Sequence, residues 1–567
     1  MHYDGLDRVI ETIDARGAGT RMEYDAVGNM LALTDARNNT TSFAYDGMNR
    51  IKSRTDSKGK IEQRTYDLNG NLLDFTDRRG QISRYTYDPM NRLVHEEYAD
   101  GATVNRTYDA RGLLLEADDS SGGLFMFEYD LAGRLVRSDS PFGTVLYTPD
   151  ELGRVKQRQV AGQDPVDYAY DPVGNLLSAA MPPAALNYSY DDRNRIETLT
   201  RSNGVTTAYG YDPLGRIESI THANGGDTLA ALHYTRNPLG NIIAKETQSA
   251  QPFVTQPAAF QIDAASNQLQ QRGAVVYTND ANGNRLTETG PAGVTTYVWD
   301  GRNRLQSMTT PDGITKTFRY DFAGNLIEQT TSGAGVDRSV HYVLDDLTNV
   351  VHQVDSEGAQ MSVLTGRAID QHLAVAKNGG QFEFALSDSI NSTVATTDDS
   401  GSLAGRFDYE PFGETVSAGS DFPFQFTGRV PVGGDLYSYR ARYLDPLAGR
   451  FVSEDPIGFL GGINPYSYVN GSPINKNDPF GLRDDKLSCE TEEECAENFR
   501  DFDRPRYCKP SCYNRFRDDW IACNFGDFKD PKKVCDILFD GAIPEPDVNC
   551  MLEALDTLWA CIDDCNK

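Results

Sequence analysis

The chain has 567 residues and a formal net charge of −29 at pH 7, with a sequence pI of about 4.6. This excess of carboxylates disfavours nucleic acid as a partner of the chain as a whole, and no run of roughly 18–20 apolar residues is present that would span a membrane as a helix. The 29 tyrosines, 25 phenylalanines and 51 glycines are typical of a mainly β protein with many turns.

The N-terminus carries no signal-peptide pattern. Met1-His2-Tyr3-Asp4 leads directly into a repeat, without a basic segment followed by an apolar one. We therefore expect either export that uses no cleavable signal or a chain that is a fragment of a longer protein.

A repeat of 21 residues dominates the chain up to about residue 380. Tyr-Asp pairs mark the repeat, and they begin at Tyr3, Tyr24, Tyr45, Tyr66, Tyr87, Tyr108 and Tyr129, and less regularly at Tyr170, Tyr190, Tyr211 and Tyr320. An alternating aromatic run, such as Phe125, Phe127 and Tyr129, precedes the turn and predicts a strand.

Each repeat continues in the same way after its tyrosine. A turn sequence such as YDAVGN at 24–29 is followed by a short apolar strand such as MLALTD at 30–35, and then by a second turn. Two strands and two turns per repeat predict a continuous sheet, because a lone hairpin is only marginally stable. A Tyr-Asp pair repeated this often indicates an architectural role rather than a binding or catalytic one.

The turn sequences YDAVGN, YDLNGN, YDPVGN and YDPLGR resemble the YD repeats of Rhs proteins, which also occur in insecticidal toxin-complex C subunits and in animal teneurins. The resemblance covers roughly residues 1–380, and we assign residues 1–384 to the repeats. It implies a spiral YD-repeat β-sheet that coils into a hollow shell. The expected fold is therefore mainly β, with a small, cysteine-rich, α-helical C-terminal domain.

Residues 385–482 leave the repeat and closely resemble the Rhs-associated core domain. They contain Asp455-Pro456-Ile457-Gly458, then NPYSYVN at 464–470, then Asp478-Pro479-Phe480-Gly481-Leu482. They depart from the family pattern at Pro465, where an apolar residue such as Leu is common, and at Gly471-Ser472, where Asn is frequent. On spacing alone, the two DPxG sequences are also good turns, because Asp caps the turn, Pro fixes φ and Gly accepts positive φ.

The resemblance implies that this core is an intramolecular aspartyl protease, which cuts after the second DPxG and leaves the C-terminal part held non-covalently in the shell. By position, Asp455 and Asp478 are the candidate catalytic residues, and Leu482–Arg483 is the candidate scissile bond. Two adjacent carboxylates that share a proton would suit acid–base catalysis. Arg450 either supports one of these carboxylates or is a solvated surface residue. No cofactor and no metal are expected at this site.

The segment 483–567 holds all the cysteines of the chain, which are Cys489, Cys495, Cys508, Cys512, Cys523, Cys535, Cys550, Cys561 and Cys565. This density is typical of a disulfide scaffold, and an odd number leaves one thiol free, paired between chains or bound to a metal. Zinc is an alternative to disulfides, although Cys-x3-Cys is not its commonest spacing, and free thiols are a third possibility. An apolar stripe from Pro546 to Cys565 predicts a helix.

No group of residues in 483–567 indicates a particular chemistry. The segment has no histidine, which excludes histidine-dependent nucleases and histidine-based triads within it. The resemblance implies that this position holds the variable effector of an Rhs protein, often a toxin.

The resemblance therefore implies a shell that encapsulates and releases an effector, in competition between cells or in interaction with a host. The expected partners are the chain's own tip, an N-terminal delivery region, secretion machinery and an immunity protein, and the expected location is outside the cell or at its surface. Two alternatives remain open: a YD-repeat adhesion protein with a disulfide-rich binding tip, and a truncated Rhs fragment.

Overall fold

A computed structural model describes residues 1–14, 16–247, 258–377 and 380–482. Every strand pairs antiparallel with the next strand of the chain inside three sheets, so the topology is an uninterrupted up-and-down meander in each. The first sheet, which we name the first winding, contains 24 strands. They are β1 His2–Tyr3, β2 Val9–Ile13, β3 Gly19–Tyr24, β4 Met30–Thr34, β5 Thr40–Tyr45, β6 Ile51–Thr55, β7 Ile61–Tyr66, β8 Leu72–Thr76, β9 Ile82–Tyr87, β10 Leu93–Glu97, β11 Thr103–Tyr108, β12 Leu114–Asp119, β13 Gly123–Tyr129, β14 Leu135–Ser140, β15 Gly143–Pro149, β16 Val155–Val160, β17 Val166–Tyr170, β18 Leu176–Met181, β19 Ala184–Tyr190, β20 Ile196–Arg201, β21 Val205–Tyr211, β22 Ile217–Asn224, β23 Asp227–Arg236 and β24 Ile242–Thr247.

The second sheet, which we name the second winding, contains 16 strands, and a third sheet contains four. The second winding comprises β25 Phe260–Ile262, β26 Leu269–Arg272, β27 Val275–Asn279, β28 Arg285–Gly290, β29 Gly293–Trp299, β30 Leu305–Thr309, β31 Thr315–Tyr320, β32 Leu326–Gly333, β33 Val336–Leu344, β34 Val350–Asp355, β35 Gln360–Thr365, β36 His372–Lys377, β37 Gln381–Ser387, β38 Thr393–Thr397, β39 Leu403–Tyr409 and β40 Thr415–Ala418. The small sheet comprises β41 Pro431–Gly433, β42 Leu436–Tyr439, β43 Arg442–Asp445 and β44 Arg450–Phe451, and 3₁₀ turns lie at Phe426–Gly428, Gly458–Gly461 and Val469–Gly471.

The aspartate of the Tyr-Asp pair closes each turn. In the third repeat, Oδ1 of Asp46 accepts the backbone N–H groups of Met48 at 2.9 Å and of Arg50 at 3.0 Å. Asn49 between them has a φ of 63°, a left-handed conformation that Asn and Gly tolerate. The motif is therefore a turn whose donors are satisfied by its own carboxylate.

The arginine that ends the turn joins one repeat to the next. Arg50 donates from Nε to Asp46 at 2.7 Å and from Nη1 to the carbonyl oxygen of Asp67 at 2.8 Å, and it lies 4.5 Å from the ring centroid of Tyr66. The hydroxyl of Tyr66 donates in turn to the carbonyl oxygen of Ile51 at 2.9 Å. The same set of contacts recurs at Arg8, Arg92, Arg154 and Arg304. The Tyr-Asp pair is thus architectural, as its repetition indicates.

The two windings contact one another through the turns between their strands. Hydrogen bonds join residues 204, 201 and 197 positions apart, as between Arg78 and Asn282, Gly301 and Asp100, and Gln163 and Gln360. The separation falls along the seam, from 226 positions between Arg37 and Asp263 to 177 between Asn224 and Gly401. This ordered pairing of turns means that the sheet coils back over its own first winding as a spiral. The expected spiral β-sheet shell is therefore confirmed.

Residues 419–482, which we name the plug segment, pack against widely separated parts of this spiral. Phe459 contacts Phe43 of β5, with ring centroids 6.4 Å apart, and Asn475 accepts the backbone N–H of Ile242 in β24 at 2.5 Å. Tyr443 shares a hydrogen bond of 2.6 Å with Tyr320 of β31. The plug segment therefore bridges both ends of the first winding and the middle of the second.

The described structure places residues 385–418 in the sheet of the second winding and the remainder of the predicted core in the plug segment. The predicted cysteine-rich helical domain lies outside the described residues. Within the parts of the chain that the structure describes, no helix has the length and apolar character needed to cross a membrane.

Candidate active site

Both DPxG sequences form capped turns in the plug segment. Oδ1 of Asp455 accepts the backbone N–H of Ile457 at 3.0 Å, and the Asp455 carbonyl oxygen accepts that of Gly458 at 2.9 Å. In the second turn, Oδ1 of Asp478 accepts the backbone N–H of Leu482 at 2.9 Å. Each aspartate thus uses its Oδ1 for its own turn, and its Oδ2 makes a different contact.

Arg442 on β43 joins the two aspartates. Its Nη2 lies 2.9 Å from Oδ2 of Asp455 and 3.1 Å from Oδ2 of Asp478. Asp455 is 5% exposed, Asp478 1% and Arg442 2%. Buried carboxylates require an opposite charge or hydrogen-bond donors, and the guanidinium of Arg442 provides these to both aspartates.

The rest of Arg442 fixes the main chain around the site. Nη1 donates to the carbonyl oxygen of Pro465 at 3.0 Å, and Nε donates to the carbonyl oxygen of Gly481. The guanidinium carbon lies 3.7 Å from the ring centroid of Phe451, which shields it from solvent. Arg442 therefore holds both carboxylates and the peptide that leads into Leu482.

The carbonyl group of Leu482 lies beside the carboxylate of Asp455. A Cβ built on Gly461 would be 2.1 Å from Oδ2 of Asp455 and 2.6 Å from the carbonyl oxygen of Leu482, so both oxygens border the space that this glycine leaves open. Gly481 is equally constrained, because its φ is +66° and a Cβ would lie 2.3 Å from the carbonyl oxygen of Tyr439. The glycines of this region allow the two turns to approach one another closely.

Arg440, two residues before Arg442, fixes the second turn to the shell. Its guanidinium bonds the carbonyl oxygen of Pro479 and the carboxylate of Asp370 at 3.0 Å and 3.2 Å, and its Nε donates to Thr348 at 2.7 Å. Asp370 and Thr348 belong to turns of the second winding. The turn that carries Asp478 is therefore anchored on that winding.

A small cavity adjoins the site. Its volume is about 40 Å³ and its lining includes Glu454, Pro465, Arg54 and Asp56. A buried water needs roughly 10–15 Å³ of such space and polar partners, so the cavity has room for water, although Asp455, Asp478, Arg442 and Leu482 are not part of its lining.

The structure places the other predicted site residues as follows. Arg450 donates to the carbonyl oxygen of Asn267 at 2.6 Å and packs over Tyr466, away from the guanidinium contact that joins the aspartates. Leu482 is the last described residue, so Arg483 and the nine cysteines, from Cys489 to Cys565, lie outside the described residues.

Sequence reasoning missed Arg442. The signal was present in LYSYRARYLDP, where an arginine stands in an aromatic, apolar context. Arg442 begins β43 directly after the hairpin turn of Arg440 and Ala441, and a charged side chain in an otherwise apolar strand requires a buried partner. The pattern alone does not say which carboxylate that partner is.

Comparison with known proteins identifies the repeats. The RHS Repeat family model matches residues 3–40, 24–61, 66–103, 188–227, 280–315 and 299–337. This chain contains RHS repeats. The assignment agrees with the resemblance that the Tyr-Asp turns carry, and the stacked turns described above are the RHS repeats.

Individual relatives of this RHS-repeat protein cover parts of the chain. It is 28% identical over 274 residues to the tRNA3(Ser)-specific nuclease WapA of Bacillus spizizenii, a match that covers 46% of this chain and 11% of the relative. It is 26% identical over 371 residues to the double-stranded DNA deaminase toxin A of Burkholderia cenocepacia, covering 59% of this chain and 24% of the relative. The chain thus spans less than a quarter of the length of either protein.

A solved structure shows the same fold. In the TcdB2-TccC3-Cdc42 crystal structure, the similar chain matches with a TM-score of 0.53 and 17% identity, covering 85% of this chain and 34% of that one. At this identity the likeness establishes the fold, and the coverage extends it to most of the described residues.

Proposed function

We propose that this RHS-repeat protein is the carrier portion of a secreted or cell-surface toxin, which cuts itself between Leu482 and Arg483 and thereby frees residues 483–567 as an effector. One observation carries the proposal. The two aspartates of the separate DPxG turns meet at Arg442, buried, beside the carbonyl group of Leu482.

The geometry suits hydrolysis of that peptide bond. A water attacks the carbonyl carbon of Leu482, the bond to the nitrogen of Arg483 breaks, and the products are a carboxyl group on Leu482 and an amino group on Arg483. Asp455, next to the carbonyl oxygen, acts as the acid that stabilises the oxyanion, and Asp478 acts as the base that takes a proton from water and passes it to the leaving nitrogen of Arg483.

Arg442 gives this pair a different electrostatic setting from the one that sequence reasoning assumed. Two isolated carboxylates at short distance avoid double ionisation by sharing a proton, whereas a guanidinium between them offsets the repulsion. We infer that Arg442 lets Asp478 remain a carboxylate while Asp455 exchanges a proton with the reacting carbonyl. The N–H of Leu482, held by Asp478, fixes the plane of the reacting segment.

The effector part of the proposal is supported by the relatives. A tRNA nuclease and a DNA deaminase toxin share these repeats although their named activities differ. A common carrier with an exchangeable end accounts for that combination. The abrupt change of composition after Leu482 supports an exchange point at the candidate scissile bond.

The test is self-cleavage of the full chain. We expect wild-type protein to yield a fragment that begins at Arg483, seen on a denaturing gel and by intact mass with and without reductant. Asp455→Asn and Asp478→Asn should leave a single uncut band, because each variant lacks one group that exchanges the proton.

Asp445→Asn is the matched control. Asp445 also precedes a proline, is buried in the plug segment and pairs with an arginine, Arg285, at 2.9 Å. It has no contact with Arg442 among those the structure describes, so this variant should be cut like wild type. Cutting at the same bond in either Asp455→Asn or Asp478→Asn would contradict the proposal.

A further inference from the structure

Glu454, the residue before Asp455, ties the first DPxG turn to the repeats. Its carboxylate receives two hydrogen bonds from Arg78, at 3.1 Å and 2.7 Å, across 376 residues of sequence. Arg78 lies in the turn between β8 and β9 of the first winding. Bidentate pairs of this kind fix orientation as well as distance.

Arg78 also contacts both windings. It bonds the carboxylate of Asp56 at 3.0 Å within the first winding and the carbonyl oxygen of Asn282 at 2.7 Å in the second. The Arg78 side chain is 6% exposed and that of Glu454 11%. This arginine is therefore the point where the two windings and the plug segment meet.

The two aspartates depend on different parts of the shell. The turn of Asp478 is held by Arg440 of the plug segment, which pairs with Asp370 of the second winding, whereas Glu454, next to Asp455, is held by Arg78 of the first winding and by Tyr466 of the plug segment. Displacement of one winding relative to the other would therefore separate Asp455 from Asp478 and Leu482.

We propose that Arg78 is a positioning residue for self-cleavage, which acts through Glu454 to place Asp455, so that the cut is made only after the first winding has docked on the second. This inference rests on the proposed self-cleavage. Its physical basis is that a displacement of about 1 Å at a reacting group can slow catalysis about 100-fold.

The experiment follows cleavage of newly made full-length chain in cell-free synthesis, with samples taken over time into denaturant. Arg78→Ala is expected to slow the appearance of the fragment that begins at Arg483 by at least about tenfold. Glu454→Gln, which keeps the side-chain shape, should slow it in the same direction, and it covers the case in which Arg78→Ala does not fold.

Arg302→Ala is the matched control. Arg302 is as buried as Arg78 and also pairs across the windings, with Asp119 at 2.5 Å and 2.8 Å, but its described contacts do not involve the plug segment. This variant should lose a similar amount of thermal stability and still be cut at close to the wild-type rate, which a merely structural role of Arg78 would not explain.

A double substitution separates a joint role from two independent ones. If Arg78 acts through Glu454, the Arg78→Ala, Glu454→Gln double variant should be cut no more slowly than the slower single variant. The inference would be overturned if the slowing in the double variant equalled the product of the two single effects. It would also be overturned by a wild-type rate of cleavage in folded Arg78→Ala or Glu454→Gln, or by equal slowing in Arg302→Ala. Failure of wild-type chain to cut would instead refute the proposed function.

Discussion

Gly461→Ala should slow the proposed self-cleavage without removing any acidic or basic group. The added methyl would lie 2.1 Å from Oδ2 of Asp455 and 2.6 Å from the carbonyl oxygen of Leu482, whereas real side chains keep such contacts at 3.0 Å or more. Both oxygens must therefore move, the nearer one by about 1 Å. A misplacement of that size reduces catalysis about 100-fold, which corresponds to about 2.7 kcal/mol in the barrier.

The assay measures the rate at which full-length chain disappears after a pulse of cell-free synthesis, with the new N-terminus identified by sequencing. Gly226→Ala serves as the control, since a Cβ there meets nothing within 4 Å and neither glycine has a left-handed φ. Both variants should melt near the wild-type temperature. A wild-type rate of cleavage after Leu482 in Gly461→Ala would refute the placement of the Leu482 carbonyl beside Asp455.

Two further predictions concern the shell. Burial, opposed by the charge of Asp370 and assisted by Arg429 and Arg440, lowers the pKa of His372 to about 3. Folded His372 stays neutral, whereas the unfolded chain binds a proton at this residue below about pH 6.5. The contribution of His372 to stability is therefore present above that pH and is lost as the pH falls toward 3. His372→Phe keeps the stacking on Phe424 and should show a smaller fall in melting temperature between pH 7 and pH 5 than wild type, and a fall equal to that of wild type would contradict the lowered pKa. Arg50→Ala should lower the free energy of unfolding, measured by denaturant titration, by about 1 kcal/mol, because it removes an ion pair, a hydrogen bond to a carbonyl group and a contact with an aromatic ring. Arg84→Ala is the control and should change the free energy of unfolding little, because the ion pairs of Arg84 are exposed and 3.9 Å and 3.5 Å long. Equal effects of the two substitutions would show that the contacts between repeats add no stability.

The repeat architecture is predictable because its contacts are local. Asp46 satisfies the donors of its own turn, and Arg50 reaches only to the next repeat, so a spacing of 21 residues already encodes strands, turns and pairing. The length of one winding is different. It depends on the accumulated twist of many strands, and no single residue records it, so the seam between Arg78 and Asn282 emerges only from the three-dimensional structure.

The candidate site likewise has a part that could be predicted from local sequence and a part that only the three-dimensional structure shows. Asp455 and Asp478 could be proposed from the two DPxG turns and the family that they resemble, because each turn is a local motif. Arg442 could not, since it reaches Asp478 across 36 residues of irregular chain. Arg450 lies in the most obvious sequence context, GRFVSEDP, yet its strand directs it to Asn267. Proximity in sequence was therefore a poor guide to the cation of this site.

Under the proposed function, the contacts of the site would also explain how one carrier serves different cargoes. Arg442 binds Asp455, Asp478, Pro465 and Gly481, all of which precede the candidate scissile bond. The proposed hydrolysis requires only the peptide nitrogen of residue 483 from the segment beyond. Under the proposed function, selection on the chemistry of cutting would therefore act on the plug segment and on the windings that hold it, and it would leave the sequence after Leu482 free to change.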